Sequence, residues 1–122
     1  MTTILVVEDE PLIALALKAE LEDAGYRVVT AVNGQKGLEQ LTEAPHPDLV
    51  LTDMMMPVMD GPAMMKAMAA DPELASIPVA VLSSLPEATI RARAEGAAWI
   101  LRQPCSTDEM LAAVVRVLGE TK

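Results

Sequence analysis

The chain alternates short apolar runs with longer stretches that carry apolar residues at helical spacing. The first run, residues 4–7, is apolar at every position and predicts a strand that is buried on both faces. Pro11 then suits the first position of a helix, which Gly25 would end. The apolar side chains expected to pack this helix on the sheet are Ile13, Leu17, Leu21 and Ala24.

Four more strand and helix units follow the first. Their strands are predicted at residues 27–30, 49–51, 79–82 and 99–101. The second strand of the chain has polar ends, which suit the edge of a sheet. Five such units predict one α/β domain over residues 1–122, with a parallel sheet covered by helices on both faces.

Helix ends are signalled by residues that cap them. Asn33 and Asp60 suit the starts of the second and third helices, and the pair Ser106 and Glu109 forms a capping-box pattern before the fifth. The fourth helix is weaker, spans about residues 86–95 and is followed by Gly96. The apolar positions of the second, third and fifth helices are Leu38, Leu41, Met64, Met65, Met68, Met110, Leu111, Val114, Val115 and Leu118.

Composition narrows the class of protein. The 122 residues are 52% hydrophobic, with no Phe and nine Met, so an aliphatic core with methionine as filler is expected. A net charge of -9 argues against direct nucleic-acid binding. The single Cys excludes an internal disulfide, and no signal peptide or membrane-spanning run is visible, which indicates a cytoplasmic protein without membrane contact. The last helix runs close to the end of the chain, so no output domain is expected.

Three carboxylates are predicted to meet at one edge of the sheet. In a five-unit sheet of order 2-1-3-4-5, ligands bind between strands 1 and 3, where the strand order reverses. Glu8 and Asp9 follow strand 1, and Asp53 follows strand 3. Like charges at such range oppose ionisation, and Mg²⁺ is the natural partner for a few carboxylates.

A structural explanation of the same acids is possible. Glu8, Asp9 and Glu10 precede a helix, whose N-terminal dipole favours acidic residues. Asp53, however, follows an apolar strand and does not obviously cap the next helix. The three acids together therefore favour a metal site, in which the ion would let an aspartate attack a phosphoryl group.

Two stretches resemble the receiver domain of two-component response regulators. They are VVEDE at residues 6–10 and DMMMPVMDG at residues 53–61, and the resemblance covers essentially the whole chain. It implies a doubly wound, flavodoxin-like (βα)5 three-layer sandwich with a parallel sheet of order 2-1-3-4-5. It also implies that Asp53 is the residue phosphorylated by a partner histidine kinase.

The resemblance further implies the other roles in the site. Asp9 would bind Mg²⁺ directly, Glu8 through water, and the backbone carbonyl of Met55 would complete the protein ligands beside Asp53. Ser83 matches the hydroxyl that moves towards the phosphoryl group, and Ile100 occupies the usual position of a switching aromatic. Met55 would either hinder the water that hydrolyses the acyl phosphate or simply fill space.

The chain departs from the family pattern at its last signature. Gln103 stands where the family has a lysine before a proline, and glutamine can donate a hydrogen bond but carries no charge. Arg102 should face the other side of the strand, although a strand end can deviate. The resemblance implies a cis bond between Gln103 and Pro104. Slower, more Mg²⁺-dependent phosphorylation and weaker coupling to Ser83 and Ile100 are expected.

Other conspicuous residues have simpler interpretations. His46 lies between two prolines and is expected to be solvated without a partner. Cys105 lacks a resolving thiol or a basic neighbour and is expected to be inert. Trp99 is expected to pack rather than bind a partner. Most members of the methionine cluster are expected in the core: Met54, Met55, Met56, Met59, Met64, Met65 and Met68.

The expected function is a stand-alone receiver that signals through protein contacts. Its partners would be a histidine kinase or a histidine phosphotransfer protein and a downstream protein target, and it would be a monomer or a weak dimer. It would not be an enzyme with a separate substrate. A pseudo-receiver that never uses the phosphoryl chemistry is the alternative supported by Gln103. A flavodoxin-like electron carrier is disfavoured, because residues 8–10 would repel a phosphate.

Overall fold

The structure is a computed structural model that describes residues 1–43 and 45–120. The strands are Thr3–Val7 (β1), Arg27–Ala31 (β2), Leu49–Thr52 (β3), Val79–Ser83 (β4) and Trp99–Arg102 (β5). The helices are Pro11–Asp23 (α1), Gly34–Thr42 (α2), Gly61–Ala69 (α3), Glu87–Arg93 (α4) and Thr107–Glu120 (α5). The predicted order of elements is thereby confirmed. Residues 121 and 122, on which the expectation about the end of the chain depends, lie outside the described residues.

All five strands pair in parallel in the order β2-β1-β3-β4-β5. The strand order therefore reverses between β1 and β3, and β2 lies at the predicted edge. Val7 is in register with Ala31 on one side and with Thr52 on the other. The residues that follow β1 and β3 consequently emerge side by side.

The sheet separates two hydrophobic clusters. Ile4 and Val6 face the layer formed by α1 and α5, whereas Leu5 and Val7 face the layer formed by α2, α3 and α4. The alternation confirms that β1 is buried on both faces. The second cluster holds the predicted methionine filler, namely Met54, Met64, Met65 and Met68. Among the described residues, no helix has both the length and the apolarity needed to cross a bilayer.

The predicted caps form as hydrogen bonds. Asn33 Oδ1 accepts the Lys36 N–H at 2.8 Å at the start of α2. In the capping box before α5, the Glu109 N–H donates to Ser106 Oγ at 3.0 Å and the Ser106 N–H donates to Glu109 Oε1 at 3.1 Å. Gly25, with φ of 99°, ends α1 as predicted.

The predicted burial of three helical residues, and the predicted exposure of one loop residue, were wrong. Ile13 and Val115 are exposed, because only part of each helical stripe reaches the sheet. Ala24 is exposed because α1 ends one residue earlier. His46 is half-buried, and its Nδ1–H donates to the Leu41 carbonyl oxygen at 2.6 Å, so it helps to end α2.

Candidate functional site

The three predicted acids converge beyond the carboxyl ends of β1 and β3. The Asp53 N–H donates to the Val7 carbonyl oxygen at 3.1 Å, which holds the first residue after β3 against the end of β1. One carboxylate oxygen from each of Glu8, Asp9 and Asp53 lies within 4.8 Å of the others. The predicted grouping is therefore present, at the point where the strand order reverses.

Glu8 is the most buried of these acids. Its side chain is 5% exposed, and Oε2 accepts the Glu10 N–H at 3.0 Å. The pKa of Glu8 is raised from 4.5 to about 7, chiefly by burial and then by the carboxylates of Asp53 and Asp9, against the lowering effect of that hydrogen bond. This carboxyl group holds a proton more tightly than an exposed glutamate does.

Asp53 is half-buried and faces the same cluster. Burial raises its pKa, Asp9 raises it further, and hydrogen bonds from the N–H groups of Met54 and Met55 oppose the rise. The Met54 bond is 2.7 Å long and ends on Asp53 Oδ1. One Asp53 carboxylate oxygen lies within 4.8 Å of an oxygen of Glu8 and of Asp9, so the carboxylate belongs to the cluster while the loop amides hold it in place.

The loop from Asp53 to α3 folds tightly back on the acceptor. The Gly61 N–H donates to the Met54 carbonyl oxygen at 3.0 Å, and Gly61 lies directly against the Asp53 backbone. Among the described residues, no hydrogen bond ends on the carbonyl oxygen of Met55. Met55 is 60% exposed, whereas Met54 is buried. Met55 is therefore a member of the methionine cluster that lies outside the core.

Val58 in this loop has a backbone conformation that valine disfavours. Its φ is 69° and its side chain is 84% exposed, so no packing offsets the strain. We expect Val58→Asn to raise the free energy of unfolding by about 1 kcal/mol, since asparagine tolerates this region. Urea unfolding would measure the change. Val32→Asn, at an exposed valine outside that region, is the control, and an equal gain there would contradict the backbone explanation.

Ser83 is the last residue of β4, and Gln103 directly follows β5. Both strands lie on the side of β3 away from β1. Ser83 is buried, and its Oγ accepts the Leu85 N–H at 3.2 Å. Its carbonyl oxygen accepts the Gln103 N–H at 2.9 Å, and the bond between Gln103 and Pro104 is cis as expected. Gln103 is half-buried, whereas Arg102 is exposed, as the strand alternation predicts.

Arg93 is a residue of this region that the sequence analysis did not identify. Its Nη2 lies 3.4 Å from Asp60 Oδ2, and it lines an open cavity together with Asp9, Met55 and Asp60. Asp60 Oδ1 at the same time accepts the Ala63 N–H at 2.9 Å, which confirms the predicted cap of α3. An arginine in the last turn of a short helix carries no local signal of such a contact, because 33 residues separate the partners in sequence.

The remaining predicted residues lie outside the acidic cluster. Ile100 is half-buried against the second hydrophobic cluster. Trp99 packs against the first cluster, with the Arg116 guanidinium 5.4 Å from its ring centre. Burial raises the pKa of the Cys105 thiol, and Glu109 and Glu20 raise it further, so the thiol is less reactive than an exposed cysteine.

The donor atoms of the cluster fit a hard divalent cation. Carboxylate oxygens within 4.8 Å of one another match the oxygen ligands that Mg²⁺ prefers. Burial, and then the neighbouring carboxylates, raise the pKa of Glu8 and of Asp53, so it is costly for the three acids to be ionised together. A bound cation would offset that negative charge.

The amino-acid sequence is similar to those of known proteins along nearly its whole length. The family model for the response regulator receiver domain matches residues 4–115. The chain is 37% identical to the DNA-binding dual master transcriptional regulator RpaA of Synechocystis sp., over 99% of this chain and 51% of that protein. It is 30% identical to the probable chemotaxis protein CheY of Rhizobium etli, over 98% of this chain and 94% of that protein. The chain thus spans about half of the first relative and smaller shares of two others.

A solved structure shares the fold. The response regulator protein TrrA from Thermotoga maritima, in complex with Mg²⁺-BeF, superposes with a TM-score of 0.86 at 27% identity. The match covers 96% of this chain and 99% of that one. The similarity therefore extends over the sheet, both helical layers and the loops that carry the acids.

Proposed function

The chain belongs to the response regulator receiver domain family, and from this premise we propose that Asp53 accepts a phosphoryl group from a partner histidine kinase or phosphotransfer protein. The observation that carries the proposal is the meeting of Glu8, Asp9 and Asp53 within 4.8 Å beside the end of β3. Receiver domains are signalling domains and generally not enzymes. They bind Mg²⁺ at an acidic pocket and interact with histidine kinases and downstream targets.

Each residue of the cluster has a role in this proposal. Asp9, Asp53 and the Met55 carbonyl oxygen would hold Mg²⁺ directly, and Glu8 would hold it through water. The ion, when bound, offsets negative charge on both the acceptor and the incoming phosphoryl group. An Asp53 carboxylate oxygen forms the new bond to phosphorus, while the bond from phosphorus to the donor breaks and the donor keeps its electron pair.

Backbone and side-chain donors of the chain hold the modified aspartate in place. The Met54 N–H keeps Asp53 Oδ1 oriented by its 2.7 Å bond. The Ser83 hydroxyl, which now accepts the Leu85 N–H, turns to donate to a phosphoryl oxygen, and Ile100 responds to that movement. Gln103 offers one neutral donor in place of a cation, so transfer is slower than with lysine there.

The pseudo-receiver alternative is not favoured by the geometry. A module that had abandoned phosphoryl chemistry would have no reason to keep three costly carboxylates together in a partly buried cluster. In our proposal residues 1–122 act as one cytoplasmic receiver domain, a monomer or weak dimer, whose output passes through contacts with a downstream protein. Gln103 then modulates the chemistry without abolishing it.

Mass spectrometry after treatment with acetyl phosphate tests this function. With Mg²⁺ present, we expect the protein to gain the mass of one phosphoryl group, and the gain to be lost when the metal is chelated. Asp53→Asn should abolish labelling because an amide is not a nucleophile here. Asp48→Asn, at an exposed aspartate whose Oδ2 accepts the Thr3 N–H, is the matched control and should label normally. Labelling that persists in Asp53→Asn would overturn the proposal.

A further inference from the structure

The acidic cluster is short of positive charge. Gln103 is neutral, and none of the ion pairs among the described residues involves Glu8, Asp9 or Asp53. A divalent cation balances part of three carboxylates, but a phosphoryl group on Asp53 adds further negative charge. A cationic side chain would bind that group more strongly than a neutral one does.

Arg93 is a basic residue placed at the rim of this region. It stands in the last turn of α4 and lines the same open cavity as Asp9 and Met55. Its partner Asp60 is the residue before Gly61, which lies directly against the Asp53 backbone. The guanidinium is therefore held beside the loop that carries the acceptor.

The contact that holds Arg93 is weak. Within the described part of the chain, its ion pair joins one guanidinium nitrogen to one Asp60 carboxylate oxygen at 3.4 Å, and the two side chains are 47% and 33% exposed. Exposed pairs of this kind contribute less than about 1 kcal/mol. A phosphoryl group offers a guanidinium two oxygens with more charge, which makes it the stronger partner.

We propose that Arg93 leaves Asp60 and binds the phosphoryl group on Asp53, supplying the positive charge that Gln103 lacks. This inference rests on the proposed function of Asp53. Because Arg93 belongs to α4, its exchange of partners also links phosphorylation to the position of that helix. Asp60 keeps its cap on α3 throughout, since the cap uses Oδ1 and the ion pair uses Oδ2.

The affinity for beryllium fluoride, a mimic of the phosphoryl group, tests the inference. The affinity would be measured by titration in the presence of Mg²⁺, with fluorine NMR as the readout. The unaltered protein would be compared with Arg93→Gln and with Arg91→Gln. Arg93→Gln should weaken binding by about tenfold, the usual effect of losing a hydrogen bond to a charged group. Arg91→Gln removes the neighbouring arginine of α4, which pairs with Glu87 at 3.2 Å, and should leave the affinity unchanged.

The same Arg93 substitution, repeated in a protein that carries Gln103→Lys, distinguishes loss of positive charge from a purely structural effect. In Gln103→Lys, the added lysine provides the cation, so Arg93→Gln should weaken binding by no more than about threefold. An equal loss in both backgrounds, or equal affinities for Arg93→Gln and Arg91→Gln, would overturn the inference. If the unaltered protein neither bound the mimic nor became labelled by acetyl phosphate, the proposed function itself would fail. Melting temperatures would show that each variant is folded.

Discussion

Without a bound metal ion, the protein should lose stability as the pH rises from about 5 to about 8. The cause is Glu8, whose pKa is raised from 4.5 to about 7 by burial and then by Asp53 and Asp9. A group with a raised folded-state pKa contributes stability that is complete below pH 4.5 and is lost as the pH passes 7. The expected loss is about 2–3 kcal/mol of unfolding free energy.

Urea unfolding in the presence of a chelator would measure this dependence. Glu8→Gln keeps the shape of the side chain and removes the titrating group, so the difference between the two proteins isolates the contribution of Glu8. We expect the variant to be the more stable of the two at the higher pH. Parallel pH profiles for the two proteins would contradict the prediction.

Added Mg²⁺ at about ten times its dissociation constant should reverse about half of this loss. Its ligands must be deprotonated, so the ion should stabilise the protein more at high than at low pH. At about ten times its dissociation constant, a ligand that binds only the folded state contributes ~1.4 kcal/mol. Equal stabilisation at both ends of the pH range would show that the ion binds elsewhere.

Gly61→Ala should destabilise the fold by about 1–3 kcal/mol and disturb the acceptor. A Cβ at this position would overlap the Asp53 carbonyl oxygen and lie 3.3 Å from the Met54 Cα. These neighbours are backbone atoms, which cannot rotate away as a side chain can. The loop would have to move, at the expense of the 3.0 Å bond from the Gly61 N–H to the Met54 carbonyl oxygen.

Gly119→Ala is the matched control for this substitution. Nothing lies within 4 Å of a Cβ added there, and the residue belongs to α5. Alanine should therefore stabilise the protein by up to about 1 kcal/mol. Thermal unfolding of both variants, with acetyl phosphate labelling of Gly61→Ala, would measure the contrast. Equal effects of the two substitutions would contradict the steric explanation.

The elements of the fold were predictable because their signals are local. A strand such as β1 is apolar at four successive positions, residues 4–7, and each of the Asn33 and Asp60 caps lies three positions before the N–H group whose hydrogen bond it accepts. The acids were predictable for a related reason. In a parallel sheet, the residues that follow neighbouring strands emerge at the same edge, so Glu8 and Asp53 are brought together by topology alone.

The errors in predicted burial arose where tertiary packing decides which apolar residues of a helix contact the sheet and where a loop lies. Ile13 and Val115 continue apolar stripes of α1 and α5, yet both are exposed because the sheet covers only part of each helix. His46 gained a partner because the loop after α2 turns back on the helix, bringing its ring to the Leu41 carbonyl. The spacing of apolar residues along the chain specifies neither the width of the buried face of a helix nor the path of a loop.

The sequence by itself determined the order of the elements, the caps, the identity of the three acids that meet and the neutral side chain at Gln103. Only the tertiary structure decided that the three carboxylates come within 4.8 Å, that burial raises the pKa of Glu8, and that Gly61 touches the Asp53 backbone. It also decided that Arg93 reaches Asp60 across 33 positions of the chain. The physical reason is that distance and burial depend on how separate elements pack, whereas patterning and capping act within a few residues.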